Sequence, residues 1–247
     1  MIKNTRLIMG MPITLMAHDG SMTDQQIEAL FALFYEADEK YSPYKSTSEV
    51  SQLNAIPALQ RRYSSELAHI MQKAEDVKRA THGYFDVEHD GHFDPSGIVK
   101  GWMLQKAAEY LKRLTPNFYI EAGGDIQVGG VSESGKPWQI GVRNPFNRQE
   151  NVAIVSLDEH AIATSGTAIR GDHIYNPVDE EVPKDVASLT VLAKHIVNAD
   201  AMATAAFAMG KKGITFLEKL PGYEAYMIDE QGIATQTTGW SQYEVAS

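Results

Sequence analysis

Residues 198–210 read NADAMATAAFAMG, an alanine-rich run that predicts a helix ending at Gly210. Asp200 and Thr204 are four residues apart, so a helix places the carboxylate and the hydroxyl on one face. Magnesium prefers such hard oxygens together with substrate phosphates. Asn198 is the predicted N-cap, which puts Asp200 in the first turn. An ordinary core helix whose aspartate favours the N-terminal dipole fits the same run, so other segments must decide.

Composition excludes several classes of function. The chain has 247 residues, of which 43% are hydrophobic, and no cysteine, so disulfides, thiolate zinc sites and a cysteine nucleophile are excluded. A net charge of −10 with dispersed lysines and arginines argues against nucleic acid as a partner. No run reaches about twenty apolar residues, so we expect no membrane anchor and a cytoplasmic protein. With no repeat or linker, a single domain over 1–247 is expected.

The hydrophobic pattern predicts an α+β fold with largely antiparallel strands and flanking helices. Thr23 and Gln26 resemble a capping box that opens a helix reaching about Lys40. Trp138 and Trp240 are predicted in strands, as core residues. Further helices are predicted over 64–81, from about Gly97 to Pro116, and over 211–219. Strands are predicted at 6–16, 118–121, 126–131, 138–143, 151–157, 160–164, 186–193, 225–228 and 232–236.

Two glycine-containing segments are candidate binding sites. In Glu121-Ala122-Gly123-Gly124-Asp125, the glycines let backbone approach a ligand between two carboxylates, although a hairpin turn needs the same residues. Residues 94–102 put Pro, Ser and Gly at a helix start, where free N–H groups and Lys100 suit a phosphate. A capped helix start with Lys100 on a solvated face fits equally. Gly97 offers a carbonyl oxygen.

A turn bearing hydroxyls precedes a histidine. Thr164, Ser165 and Gly166 follow a predicted strand, and His173 comes seven residues after Gly166. Histidine is the natural general base near neutral pH for an attacking hydroxyl. His173 is one of eight histidines, so a structural or exposed role stays open.

A polar, aromatic segment lies between two predicted helices. Residues 41–54 include Tyr44 and suit the laying of a tyrosine ring against a planar ligand. A plain surface loop fits as well.

Taken in order, these segments resemble the ApbE-type family of FAD:protein FMN transferases over nearly the whole chain. The matching segments are Met9-Gly10-Met11, residues 41–54, Asp94 to Gly101, Gly123 to Ile126, and Asp200 to Ala205. The Thr-Ser-Gly and His-Ile-x-Asn-Pro segments follow the same order. The resemblance implies an ApbE-like mixed fold with two closely packed lobes.

The resemblance also implies roles for individual residues. It implies magnesium held by Asp200 and Thr204, with Gly97 and Ala203 as the carbonyl candidates, and His173 as the base. Asp200 is thereby also a catalytic candidate, because it anchors the metal. The residues expected to bind FAD are Met9, Gly10, Tyr44, Lys100, Glu121, Gly123, Gly124, Asp125, Thr164, Ser165 and Gly166.

The implied reaction is magnesium-dependent transfer of FMN from FAD to a Thr or Ser of an acceptor flavoprotein, with release of AMP. A cytoplasmic reductase subunit is the expected kind of acceptor. Two alternatives stay open: an FAD hydrolase giving FMN and AMP, and a flavin-binding protein without turnover. A structural protein that binds no flavin is the remaining interpretation.

The chain departs from the family pattern at three places. Met11 replaces a threonine, Pro95-Ser96 replaces Leu-Gly, and Asn176 replaces the aspartate after the histidine. Asn176 removes a negative charge near His173, although its amide still accepts a hydrogen bond. The lack of a lipoprotein signal also departs from exported members and leaves the acceptor open.

Overall fold

The computed structural model describes residues 1–18, 22–56, 59, 62–89, 91–166, 176–178 and 181–245. In this part of the chain the strands are β1 (Ile2–Ile8), β2 (Met11–Ala17), β3 (Glu88–His89), β4 (His92–Phe93), β5 (Phe118–Ala122), β6 (Asp125–Gly129), β7 (Trp138–Arg143), β8 (Asn151–Leu157), β9 (Ala161–Gly166), β10 (Val186–Ala193), β11 (Tyr223–Asp229) and β12 (Ala234–Gln236). The helices are α1 (Asp24–Tyr41), α2 (Glu49–Ala55), α3 (Ser65–Ala80), α4 (Ser96–Lys112), α5 (Ile196–Ala208) and α6 (Lys212–Leu217).

An antiparallel sheet of eight strands organises these elements, in the order β1-β2-β5-β6-β9-β10-β11-β12. The β3–β4 and β7–β8 hairpins form two separate two-stranded sheets. The predicted α+β class with largely antiparallel strands is therefore confirmed. None of the described helices is long and apolar enough to cross a membrane.

The first hairpin corrects the sequence prediction. The single strand predicted over 6–16 is wrong, because β1 ends at Ile8 and β2 begins at Met11. Met9 and Gly10 form the two-residue turn, with φ of 55° and 71°. Positive φ at both central residues gives the turn the twist that a tight hairpin needs.

The helix starts show where local signals suffice. The Thr23–Gln26 capping box that opens α1 is confirmed. The predicted cap at Asn198 is wrong, because α5 begins at Ile196 and its first N–H is held by Gln127 Oε1 at 3.0 Å. Asp200 is consequently one turn deeper in the helix than predicted.

The two faces of the sheet carry separate cores. Alternate residues of β5 and β10, such as Ile120 and Leu189, face a core that includes α1, α3, α4 and α5. Their neighbours, such as Tyr119 and Leu192, face a second core with the β7–β8 hairpin. Trp240 is fully buried in this second core, as predicted. It lies in a short 3-10 helix (Trp240–Gln242), however, and not in a strand.

We expect Trp240→Ala to destabilise the fold by about 3–5 kcal/mol, because it removes a fully buried aromatic side chain and leaves a cavity. Chemical denaturation measures the change in the free energy of unfolding. Phe146→Ala is the matched control, since Phe146 is 58% exposed and its loss should cost about 0.5 kcal/mol or less. An equal loss of unfolding free energy in the two variants would contradict the burial of Trp240 in the second core.

Candidate functional site

Two tight turns lie side by side at one end of the sheet. Because β2 pairs with β5 from Ile13 opposite Ala122, the turn after β1 adjoins the turn after β5. The second turn is Gly123-Gly124, with φ of 60° and 99°, a conformation that glycine adopts without strain. The Gly123 N–H donates to the carbonyl of Pro12 at 3.2 Å. The sheet thus brings four of the predicted FAD-binding residues, Met9, Gly10, Gly123 and Gly124, together at one end of its strands.

A buried ion cluster lies next to these turns, on the face of the sheet that the helices cover. The Lys100 ammonium is 2.6 Å from Asp125 Oδ2 and 3.1 Å from Asp200 Oδ1. The side chains of the two aspartates are only 2% and 5% exposed, and that of Lys100 is 19% exposed. The cluster joins the start of β6 to α4 and α5.

The close packing of α4 against α5 depends on Gly101. A Cβ atom at this position would lie 2.9 Å from Val197 Cα and 3.0 Å from Asp200 Oδ2. Any larger residue would therefore push the two helices apart at the level of the ion cluster.

Burial and mutual charge set the ionisation of the cluster. Burial raises the pKa of the Asp200 carboxyl above its ordinary value; the Lys100 ammonium opposes this, and the Asp125 carboxylate adds to it. Burial alone would lower the pKa of Lys100, but the two carboxylates outweigh it and raise the pKa. Lys100 therefore stays charged at neutral pH.

Hydroxyl groups from β9 and α5 adjoin the cluster. Ser165 Oγ lies 3.5 Å from Thr204 Oγ1, and Thr204 Oγ1 donates to the carbonyl of Asp200 at 3.1 Å. The backbone N–H of Thr164 donates to Asp125 Oδ1 at 3.3 Å, so β9 also fixes that carboxylate. Asp200 and Thr204 lie one turn apart on α5, as the sequence predicts.

The donor set fits a hard cation such as Mg²⁺. Asp200 Oδ2 is buried and accepts no hydrogen bond from the described part of the chain. When both carboxylates are ionised, the single ammonium leaves one negative charge uncompensated. No three His, Asp or Glu side chains cluster in the described ranges. A cation here would accordingly combine Asp200 with hydroxyl and carbonyl oxygens, and Thr204, Gly97 and Ala203 are the candidates.

Two other predicted site residues, Glu121 and Tyr44, lie outside this cluster. Glu121 is on the opposite face of the sheet, where its carboxylate accepts a hydrogen bond from the Tyr119 hydroxyl at 2.7 Å. Tyr44 is 93% exposed, just before α2. His173 lies outside the described residues. The roles of all three residues stay predictions.

Two residues that shape the site were not singled out from the sequence. Gln127 is 1% exposed within an apolar strand and caps α5 from across the core, and Gly101 lets α4 approach that helix. A glutamine inside an apolar run is a signal that sequence analysis could have used. An open groove of about 520 Å³, lined by His82 and Phe216 among others, contains none of the predicted site residues.

Comparison with known proteins identifies the family. The model described as the ApbE family matches residues 9–91 and 88–227. The chain belongs to the ApbE family. Among solved structures, the ApbE protein from Thermotoga maritima superposes with a TM-score of 0.87 at 20% identity, covering 99% of both chains. The flavin transferase ApbE from Vibrio cholerae gives 0.84 at 22% identity over 98% of both chains. The ApbE fold is therefore shown.

Curated relatives carry the name FAD:protein FMN transferase. The protein from Vibrio cholerae is 34% identical over 132 residues, which are 49% of this chain and 40% of that protein. The protein from Haemophilus influenzae is 31% identical over 141 residues, 52% of this chain and 41% of that protein. The chain thus matches less than half of the length of these two relatives.

We expect Gly101→Ala to destabilise this ApbE chain by about 1–3 kcal/mol, because the added methyl overpacks the contact between α4 and α5. Gly97→Ala is the matched control on the same helix, since its Cβ would meet only the Phe85 ring, at 3.6 Å. That control should be neutral or slightly stabilising, given the better helix propensity of alanine. Urea unfolding of both variants checks the difference, and equal costs would contradict the close helix contact.

Proposed function

We propose that this chain transfers the FMN part of FAD to a Thr or Ser hydroxyl of an acceptor flavoprotein, with release of AMP, in a magnesium-dependent reaction. The observation that carries the proposal is the buried cluster of Lys100, Asp125 and Asp200, whose spare carboxylate oxygen and neighbouring hydroxyls suit a cation. The names of the curated relatives support the same activity.

The chemistry is a phosphoryl-group transfer. The acceptor oxygen forms a bond to the FMN-side phosphorus, and the bond from that phosphorus to the bridging oxygen breaks, so AMP leaves with the bridging oxygen. The acceptor hydroxyl gives up its proton to a base. His173 is our candidate for this base, because a neutral imidazole accepts a proton near neutral pH.

The residues of the cluster have distinct tasks in this proposal. Asp200 and Thr204 would hold magnesium, with the carbonyls of Gly97 and Ala203 as further ligands. When bound, magnesium neutralises the diphosphate and the charge that develops on the leaving AMP. Lys100 supplies a positive charge at the same phosphates, and Asp125 orients Lys100 through the 2.6 Å contact. The glycine turns let backbone approach the flavin nucleotide.

The acceptor is the least specified part of the proposal. We propose a cytoplasmic flavoprotein, with a reductase subunit as the candidate class. Asn176 accepts a hydrogen bond from the Val178 N–H at 2.9 Å through its amide oxygen, so its side chain is already used in its own turn. Because Asn176 replaces the aspartate of the family pattern, the sequence has no carboxylate at this position. Slow transfer and competing FAD hydrolysis are therefore worth measuring.

The activity is tested by incubating the protein with FAD and Mg²⁺, with and without a flavoprotein bearing a candidate threonine. We expect AMP release together with a gain of one FMN unit in the intact mass of the acceptor. AMP and free FMN without mass gain would favour hydrolysis, and bound but uncleaved FAD would favour a binding protein. Absence of FAD binding would overturn the proposal.

We expect Asp200→Asn to lower magnesium-dependent AMP release by at least about 100-fold, because the amide keeps the shape of the side chain but loses the charge that anchors the cation. Rates are measured over a magnesium titration at saturating FAD. Asp158→Asn is the control, since Asp158 is an exposed carboxylate away from the cluster. Full activity of Asp200→Asn at ordinary magnesium would refute the metal assignment.

His173→Ala should instead lose turnover and keep FAD binding.

A further inference from the structure

The Lys100 ammonium lies where a cation would neutralise both buried carboxylates. It contacts Asp125 Oδ2 at 2.6 Å and Asp200 Oδ1 at 3.1 Å, while Asp200 Oδ2 has no hydrogen-bond donor in the described part of the chain. One oxygen of the Asp200 carboxylate, which we assign to magnesium, is thus already paired with Lys100, and the other oxygen is unpaired in the described part of the chain.

We propose that Lys100 is the built-in counter-ion of the cation site and that it competes with magnesium for Asp200. The diphosphate of FAD relieves this competition by drawing the ammonium of Lys100 away from Asp200. Magnesium and the nucleotide then strengthen each other's binding. The inference rests on the proposed function, because it takes FAD and magnesium as the ligands of this cluster.

Charge balance carries the first step. When both are ionised, as they are with a divalent cation bound, Asp125 and Asp200 together offer two negative charges, and Lys100 compensates one of them. Adding a divalent cation while Lys100 stays in place would bring three positive charges against two negative ones in a site from which water is largely excluded. Like charges repel strongly in such surroundings, so magnesium alone must bind weakly or displace the ammonium. A bound diphosphate supplies the missing negative charge.

The position of Lys100 on α4 allows its ammonium to move from Asp200 to a bound phosphate. It is the fifth residue of α4, one turn after Gly97, so phosphates bound at the start of this helix are within reach of its flexible stem. Its side chain is 19% exposed, so part of this side chain reaches the surface beside the cluster. Asp125 does not depend on Lys100 for its position, because the Thr164 N–H also holds it.

Magnesium binding to the nucleotide-free protein separates this inference from the activity. We would titrate Mg²⁺ into wild type and Lys100→Met, following heat of binding and melting temperature, with and without ADP as the diphosphate probe. For wild type we expect weak binding that ADP strengthens at least tenfold. For Lys100→Met we expect at least tenfold tighter magnesium binding without ADP, a larger magnesium-induced rise in melting temperature, and little further gain from ADP.

Lys106→Met is the matched control. Lys106 is on the same helix and pairs with Glu66, outside the cluster, so its replacement should leave the magnesium affinity and the ADP effect at wild-type values. Chelation of Mg²⁺ by ADP in solution is the same in every titration, so it cancels when the variants are compared with wild type.

Two results would overturn the inference. If folded Lys100→Met binds magnesium with the same affinity as wild type, Lys100 does not compete for Asp200. The transferase proposal would remain intact. Absence of magnesium binding with ADP in both proteins would remove the metal assignment itself, and the competition with it.

A measurement on wild type covers the case in which Lys100→Met does not fold. Amine acylation read by mass spectrometry should find Lys100 slow to react without ligands, and faster once saturating Mg²⁺ displaces it. Lys136, an exposed lysine on the loop before β7, is the internal reference. Unchanged reactivity of Lys100 at saturating Mg²⁺ would contradict the competition.

Discussion

The ion cluster of Lys100, Asp125 and Asp200 is the constraint on which the rest of the site depends. Burying one unpaired carboxylate costs several kcal/mol, and this fold buries two of them side by side. Lys100 makes that arrangement tolerable by contacting both. Because the three residues come from α4, β6 and α5, the pairing holds two helices against the sheet in one specific position.

The packing around the cluster follows from this requirement. Lys100 can reach Asp200 only if α4 and α5 approach closely, and Gly101 leaves the space for that approach. The alanine-rich face of α5 serves the same purpose, because Ala199, Ala203 and Ala206 are fully buried without holding the helix away from its neighbours. At the start of α5, four residues before Asp200, Gln127 accepts a hydrogen bond from the first N–H, so the helix starts inside the core without an exposed cap. Small residues and long-range hydrogen bonds thus replace the usual amphipathic design.

The sequence predicted what is encoded locally. The Thr23–Gln26 capping box and the Asp200–Thr204 pair depend on neighbours within one helical turn, so their spacing was enough. The turn at Met9-Gly10 was missed because methionine is not a usual residue at positive φ. The start of α5 was misplaced because its cap comes from Gln127, far away in sequence. The contacts of Lys100 with two carboxylates could not be read from spacing either, since they require the packed positions of three elements.

The three departures from the family pattern differ in how they relate to this site. Pro95 provides no side-chain cap for α4, but Asp94 Oδ1 accepts a hydrogen bond from the backbone N–H of Ser96 at 2.9 Å, a bond that any residue except proline could donate at position 96. Met11 is a buried core residue at the start of β2, a place where an apolar side chain fits. Neither position contributes a side chain to the cluster of Lys100, Asp125 and Asp200. Asn176 is the departure that removes a charge, and it is close in sequence to His173. Among the three departures, Asn176 is therefore the one that bears on the proposed base, His173, whereas the ion cluster of Lys100, Asp125 and Asp200 is unchanged.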